Sequence, residues 1–302
     1  MARAATVPAR LRQQERRIPS ASEVLTASLH QRLQVLGTLL RRNKRHCTER
    51  SIHDLRVAAR RLMATIDLVL GILQDEELQK TRRLLRKHLK AFNTLRDTHI
   101  QILAVRTMVR RFPVLRSYLR GLLRRERTLI REARKEVARI EALHAGEIIG
   151  RVSADVIGLM AGPHMQSTGY TMLLGSLGSA FARAMTLRQK VNAGDPRSIH
   201  RLRVAFKRCR YSTEVLQPLL PGVDTKWLKA MQAYQTMMGN VQDTVVIAAG
   251  IAAHAARVPR GGAGPFFGVQ QHLAQQRKTL VDTFLASADS LYGFWPLQQR
   301  EF

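Results

Sequence analysis

The sequence predicts an all-α protein of two pseudo-symmetric four-helix up-down bundles that arise from an internal duplication. Three observations lead there. Apolar residues recur with helical spacing almost throughout the chain, while β-type alternation is nearly absent. The stretch SIHDLRVAARR at residues 51–61 returns as SIHRLRVAFKR at 198–208, with eight identities in eleven positions at an offset of 147. A second pair, FNTLRDTHI at 92–100 and MGNVQDTVV at 238–246, follows at an offset of 146 and places Asp97 on Asp243 and Thr98 on Thr244.

Breaking residues divide the 302-residue chain into eight expected helices. The first runs from about Ser22 to Arg42. A polar turn precedes the second, which Ser51 caps and which continues to about Leu73. The third covers about Glu76 to Arg110, and Phe112-Pro113 separates it from a fourth over about Val114 to Leu143. A glycine-rich segment, residues 146–167, is expected to be the linker between a first bundle at 22–145 and a second at 168–296. Four more helices are expected at about Thr168 to Val191, Pro196 to Leu216, Val223 to Ala256 and Pro265 to Leu291. Pro196 suits a first turn, where its missing N–H costs little, and Pro218 and Pro221 end that helix. Residues 1–21 hold five arginines and no apolar run, so they read as a disordered basic arm and not as a secretory signal.

Charge narrows the functional classes. Fifty Lys and Arg stand against 22 Asp and Glu, a formal net charge of +28. Self-repulsion of that size calls for a polyanionic partner. Only two cysteines, Cys47 and Cys209, are present and they form no metal spacing, which fits reduced thiols in a cytoplasmic protein. No stretch is a convincing membrane span, so no membrane role is expected.

The repeated motif shows where the charge gathers. With His53 as the origin of a helical wheel, Ile52, Leu55, Ala59, Leu62 and Ile66 form a core-facing stripe. His53, Arg56 and Arg60 lie together on the opposite side with Arg61 at their edge. The later copy repeats the face with His200, Arg203 and Lys207, flanked by Arg208 and Arg210. A solvated helix normally mixes charge signs to gain pair energy. Here cations stack on cations, which costs stability unless an anion sits there. The third helix adds Arg86 and Lys90 on one stripe, whereas the equivalent positions in the second half are Gln232 and Thr236. Asp97 and Asp243 survive that loss of charge. They are expected to position a guanidinium or imidazole, or to serve as a structural salt bridge between helices.

These residues resemble the CHAD family, named for a histidine-containing α-helical domain. The pattern H-x-x-R-V-x-x-[RK]-R is carried by His53, Arg56, Val57, Arg60 and Arg61, and again by His200, Arg203, Val204, Lys207 and Arg208. Arg96-Asp97 and Gln242-Asp243 resemble its following element, and Phe294-Trp295 its aromatic ending. The resemblance implies one domain over residues 22–296 made of two four-helix bundles. It also implies non-catalytic binding of inorganic polyphosphate in a basic central cavity, with some members on polyphosphate granules. Met63 and Cys209 depart from the usual residues.

Two rivals remain. Non-specific nucleic-acid binding would use the same basic faces, although they carry only Phe206 and Tyr211 as stacking platforms. A metal-dependent phosphohydrolase would need more than His53-Asp54, whose counterpart is His200-Arg201, and the chain has no phosphate-binding glycine loop. The expectation is therefore no enzyme, no cofactor and no metal. Oligomeric state is left open.

Overall fold

The computed structural model describes residues 19–258 and 264–296. The proposed basic arm lies almost wholly outside the described residues, as do residues 297–302. Nine α-helices carry the described fold, with no strand among those residues. They are α1 (Ala21–Arg45), α2 (Glu49–Val69), α3 (Glu76–Met108), α4 (Leu115–Glu141), α5 (Ala145–Leu159), α6 (Pro163–Gln189), α7 (Pro196–Leu216), α8 (Thr225–Ala255) and α9 (Phe267–Ala286). A 3₁₀ stretch, Ala288–Phe294, follows α9.

Local chemistry explains the boundaries. Ser20 caps α1 and Glu23 answers back to the Ser20 amide, closing a capping box. Thr48, not Ser51, is the cap of α2. Ser51 sits three residues inside, where its hydroxyl accepts from the Thr48 amide and donates to Asn43 Oδ1 at 2.8 Å. That shift by three residues seals the α1–α2 turn with a fully buried Ser51 and Asn43. Asp75 and Asp224 cap α3 and α8, and Pro163 and Pro196 open α6 and α7.

The expected linker is largely a helix. Residues 145–159 form α5, and its Ile149, Val152 and Val156 are fully buried in the main core. Their spacing of three and four outweighs the modest cost of the glycines, since Gly150 and Gly158 face open space. The break between the halves shrinks to the turn at residues 160–162.

In the first half α1, α2, α3 and α4 pack in sequence, and α4 returns to α1 to close a four-helix bundle. In the second half α6, α7, α8 and α9 pack in sequence, with the 288–294 stretch bridging α6 to α8 and α9. Trp295 completes the seam against Phe181, ring centroids 5.2 Å apart. Phe206 joins Tyr234 and Phe294 in the interior of this half, so it is core and not a stacking platform.

The bundles do not close separate cores. One apolar cluster runs from α1 and α2 through α5, α6 and α7 to α8 and α9. A smaller one joins Val105 and Leu115 of the first half to Ile251 and Val269 of the second. Between halves, α2 meets α7 and α3 meets α8. The helices that share sequence motifs are thus the ones that touch, as an isologous contact requires.

Candidate functional site

Because α2 buries its apolar stripe inward, its opposite face is presented towards α7, which does the same in return. The result is a cavity of about 1690 Å³ between the halves, walled by α1, α2, α3, α7 and α8. Its lining includes every residue singled out above: His53, Arg56, Arg60, Arg61, Arg86 and Lys90 from one half, His200, Arg203, Lys207, Arg208 and Arg210 from the other, and both Asp97 and Asp243. Thirteen Lys and Arg line it against five Asp and Glu, and Tyr211 is its one aromatic ring apart from the two histidines.

Its centre is electrostatically uncomfortable when empty. Arg56 is only 8% exposed; it donates from Nη1 to Asn93 Oδ1 at 2.8 Å, which anchors α2 to α3. Burial, then Arg60, pushes its guanidinium down to about 10. Burial likewise lowers Arg60 and Arg203 from the ordinary arginine value. Arg203 lies over Gly239, where an added Cβ would sit 3.5 Å from its Nε, and that Nε is buried with no hydrogen-bond partner. Lys207 shows the largest effect. Burial, followed by Arg60, Arg203, Arg56 and Arg210, drives its amine from 10.5 down to about 6; the amine pulls in turn on the Asp243 carboxyl without forming an ion pair with it. A phosphate chain would supply the missing negative charge, and each arginine offers a planar fork for two oxygens.

A family model described as the CHAD domain matches residues 27–252. The chain belongs to the CHAD family. Among solved structures, the crystal structure of the CHAD domain from the plant Ricinus communis is similar, with a TM-score of 0.62, 17% identity, and coverage of 91% of this chain and 90% of that one. PptA from Streptomyces chartreusis is similar at a TM-score of 0.57 and 15% identity, with coverage of 91% and 100%. At such identities the likeness is one of fold. No curated protein matches.

Within this CHAD fold the expected residues fall into different situations. His53 and His200 are exposed, on opposite walls of the cavity. Burial, aided by Arg96 for His53 and by Arg203 for His200, lowers both below the usual histidine value, so both rings are neutral at pH 7 and offer one N–H each. Arg86, Lys90 and Arg208 are exposed on the walls and have no carboxylate partner among the described residues. Arg210 is different. It is 4% exposed, its Nε donates to Gln235 Oε1 at 3.0 Å, and its Nη1 pairs with Glu214. The expectation that Arg210 binds an anion is therefore corrected: its donors are committed to the wall, where it also stacks 4.5 Å over Tyr211. Arg61 shares Glu214 with it at 2.9 Å.

Asp97 and Asp243 also depart from expectation. Neither carboxylate has an ion pair within 4.0 Å among the described residues, so neither holds a guanidinium or imidazole directly. Burial raises both above the ordinary aspartate value, against the pull of Arg56 and Arg96 on Asp97 and of Arg203 and Arg96 on Asp243. Four lining cations were not singled out from the sequence as site residues, one of them Arg82, which pairs with Asp67 on the wall. Arg32 enters from α1, donating to the Arg61 carbonyl at 2.9 Å, and burial lowers it to about 10. Arg96 pairs with Glu49 across α2–α3, and Lys229 comes from the start of α8. Arg96 was visible beside Asp97 in the second motif. Nothing local marks Arg32, which reaches the cavity only because α1 packs along α2 and α7.

Proposed function

We propose that this CHAD protein binds inorganic polyphosphate, without catalysis, in the cavity between its halves. The observation that carries the reading is Lys207, set among Arg56, Arg60 and Arg203 on the cavity wall, none of the four having a carboxylate within 4.0 Å among the described residues. A structural wall would neutralise such a cluster internally, as Glu214 does for Arg210. A cluster left unbalanced suits a ligand that brings several negative charges and no bases to stack. One charge-assisted arginine contact contributes roughly 1.5 to 3 kcal/mol, so a few suffice for tight binding. On this reading the protein acts in the cytoplasm, at polyphosphate granules.

The deciding experiment titrates the protein with polyphosphate, single-stranded DNA, RNA and duplex DNA at matched phosphate concentration and two salt levels. Polyphosphate is expected to dominate at the higher salt, because the buried and half-buried cations Arg56, Arg60, Arg203 and Lys207 are screened less than an open surface. Replacing Arg56, Arg60, Arg203 and Lys207 together by glutamine is expected to remove that preference with the helical signal intact. Equal retention of all four polymers at high salt, or an unchanged preference in the quadruple variant, would overturn the proposal. Release of orthophosphate from the bound chain would overturn its non-catalytic part.

A further inference from the structure

A second cationic surface lies outside the cavity, on α4, which contributes no side chain to the cavity wall. Arg116, Arg120, Arg124, Arg127, Arg131 and Lys135 follow one another at intervals of four, four, three, four and four residues. At 100° per residue they fall within an arc of about 100°, and at 1.5 Å per residue the row is about 28 Å long. All six are exposed. None has a carboxylate partner within 4.0 Å among the described residues: of the acids of α4, Glu126 lies against His99, Glu136 against His88 and Arg139, and Glu141 against Lys44, while the exposed Glu132 stands beside the row without pairing with it. The face opposite the row, with Leu115, Leu122, Val137 and Ile140, is buried against the rest of the bundle, so the helix is held in place and the row is a fixed feature.

We infer that the outer face of α4 is a docking surface for the phosphate backbone of duplex nucleic acid, separate from the cavity. The argument rests on shape and on charge. A row of cations fixed on one helix face matches a stiff polyanion: a duplex stays stiff over about 150 base pairs and carries one negative charge per roughly 1.7 Å, so the row lies alongside about 16 of them. A flexible chain laid on an open row loses conformational freedom that the cavity compensates by contact on several sides. Anionic lipid is the weaker match, because no large apolar side chain of α4 is exposed for insertion beside the cations. The row consists of guanidinium and ammonium groups, which take the phosphate oxygens of any sequence, so binding is to phosphate and is independent of sequence.

The test uses the full chain and a fluorescent 20-base-pair duplex at several salt concentrations. Six phosphate contacts correspond to a slope of about −5 in log K against log salt. Replacing the six cations by glutamine is expected to weaken duplex binding at least tenfold and make the slope shallower by about five units, while polyphosphate affinity changes less than twofold. The double charge reversal Arg120→Glu with Arg127→Glu, a milder change to two exposed sites, is expected to weaken the duplex at least fivefold and guards against misfolding of the sixfold variant. The cavity variant described above is expected to keep its duplex affinity. The inference is overturned if both α4 variants bind duplex like the wild type, if the cavity variant loses the duplex instead, or if the α4 substitutions release phosphatidylserine vesicles and leave the duplex unaffected. None of these outcomes bears on polyphosphate binding, which is measured independently.

Discussion

Glu214 on α7 accepts from Arg61 Nε of α2 at 2.9 Å and also pairs with Arg210 of its own helix. One carboxylate, 11% exposed, therefore ties the two motif helices together at the end of their basic faces. It also neutralises the most buried arginine of the wall, and the two arginines it binds are not equivalent. Arg61 is 44% exposed, whereas Arg210 has almost no access to water.

Replacing Glu214 by Gln is expected to destabilise the protein by about 3 kcal/mol, because it leaves the Arg210 charge buried and unpaired. Arg61→Ala removes only an exposed partner and is expected to cost about 0.5 kcal/mol. Urea denaturation of the two variants measures the difference. Equal costs would mean that Glu214 acts as a simple surface pair.

Lys207 is expected to make the proposed polyphosphate binding depend on pH. In the empty cavity its amine titrates at about 6, and a bound polyanion is expected to draw it back towards its ordinary value. Between those values binding takes up as much as one proton, so affinity falls by up to about tenfold per pH unit as pH rises. Calorimetry in buffers of different ionisation enthalpy reads the uptake directly, and Lys207→Met is expected to abolish its largest component.

The same lysine destabilises the ligand-free fold. Its folded value lies below its unfolded one, so the unfolded chain binds more protons across that window. The contribution of Lys207 to stability is least unfavourable above about pH 10.5, worsens as pH falls towards 6, and is constant below. Lys207→Met is therefore expected to raise the ligand-free thermal midpoint at pH 7, by about 2 to 4 °C for each kcal/mol recovered, while weakening polyphosphate. A lower midpoint in the variant would contradict the electrostatic account of the cavity.

Arg56 and Arg203 are expected to lose ten- to a hundredfold in polyphosphate affinity on substitution by Gln, the equivalent of roughly 1.5 to 3 kcal/mol each. Arg56→Lys keeps the charge but not the planar fork that reaches Asn93, so its affinity is expected to fall between wild type and Arg56→Gln. Full rescue by lysine would show that charge alone is recognised.

Two glycines of α8 should respond in opposite ways. A methyl at Gly250 would run into the Tyr118 hydroxyl and Gln101, which hold each other in the smaller core. Gly250→Ala is expected to destabilise by about 1 kcal/mol after the gain in helix propensity is set against the clash. Gly239→Ala meets Arg203 at ordinary contact distance and is expected to be neutral or stabilising. Thermal denaturation separates them, and polyphosphate affinity of Gly250→Ala should not change, because neither Tyr118 nor Gln101 lines the cavity.

The helical class, the identity of the motif helices and the basic face of each were legible in the linear sequence, because a 3.6-residue period reports which side chains share one side of one helix. The boundaries of α7, Pro196–Leu216, are those the proline and apolar spacing indicated. Periodicity says nothing about which faces meet. That His53 and His200 share a cavity follows from the contacts of α2 with α7 and of α3 with α8, which are made between segments some 147 residues apart. The same long-range packing decided that residues 145–159 are a core helix, since Ile149, Val152 and Val156 need a neighbour to be buried against and their glycines pointed the other way. It separated Arg210 from Arg203 as well. The two look alike in the motif, but Glu214 and Gln235 bond one, while the other lies over Gly239 with its Nε unpartnered. Charge and period belong to the residue and its near neighbours and can be read in order. The burial and pairing that make one arginine a wall and another a site depend on groups brought in from other helices.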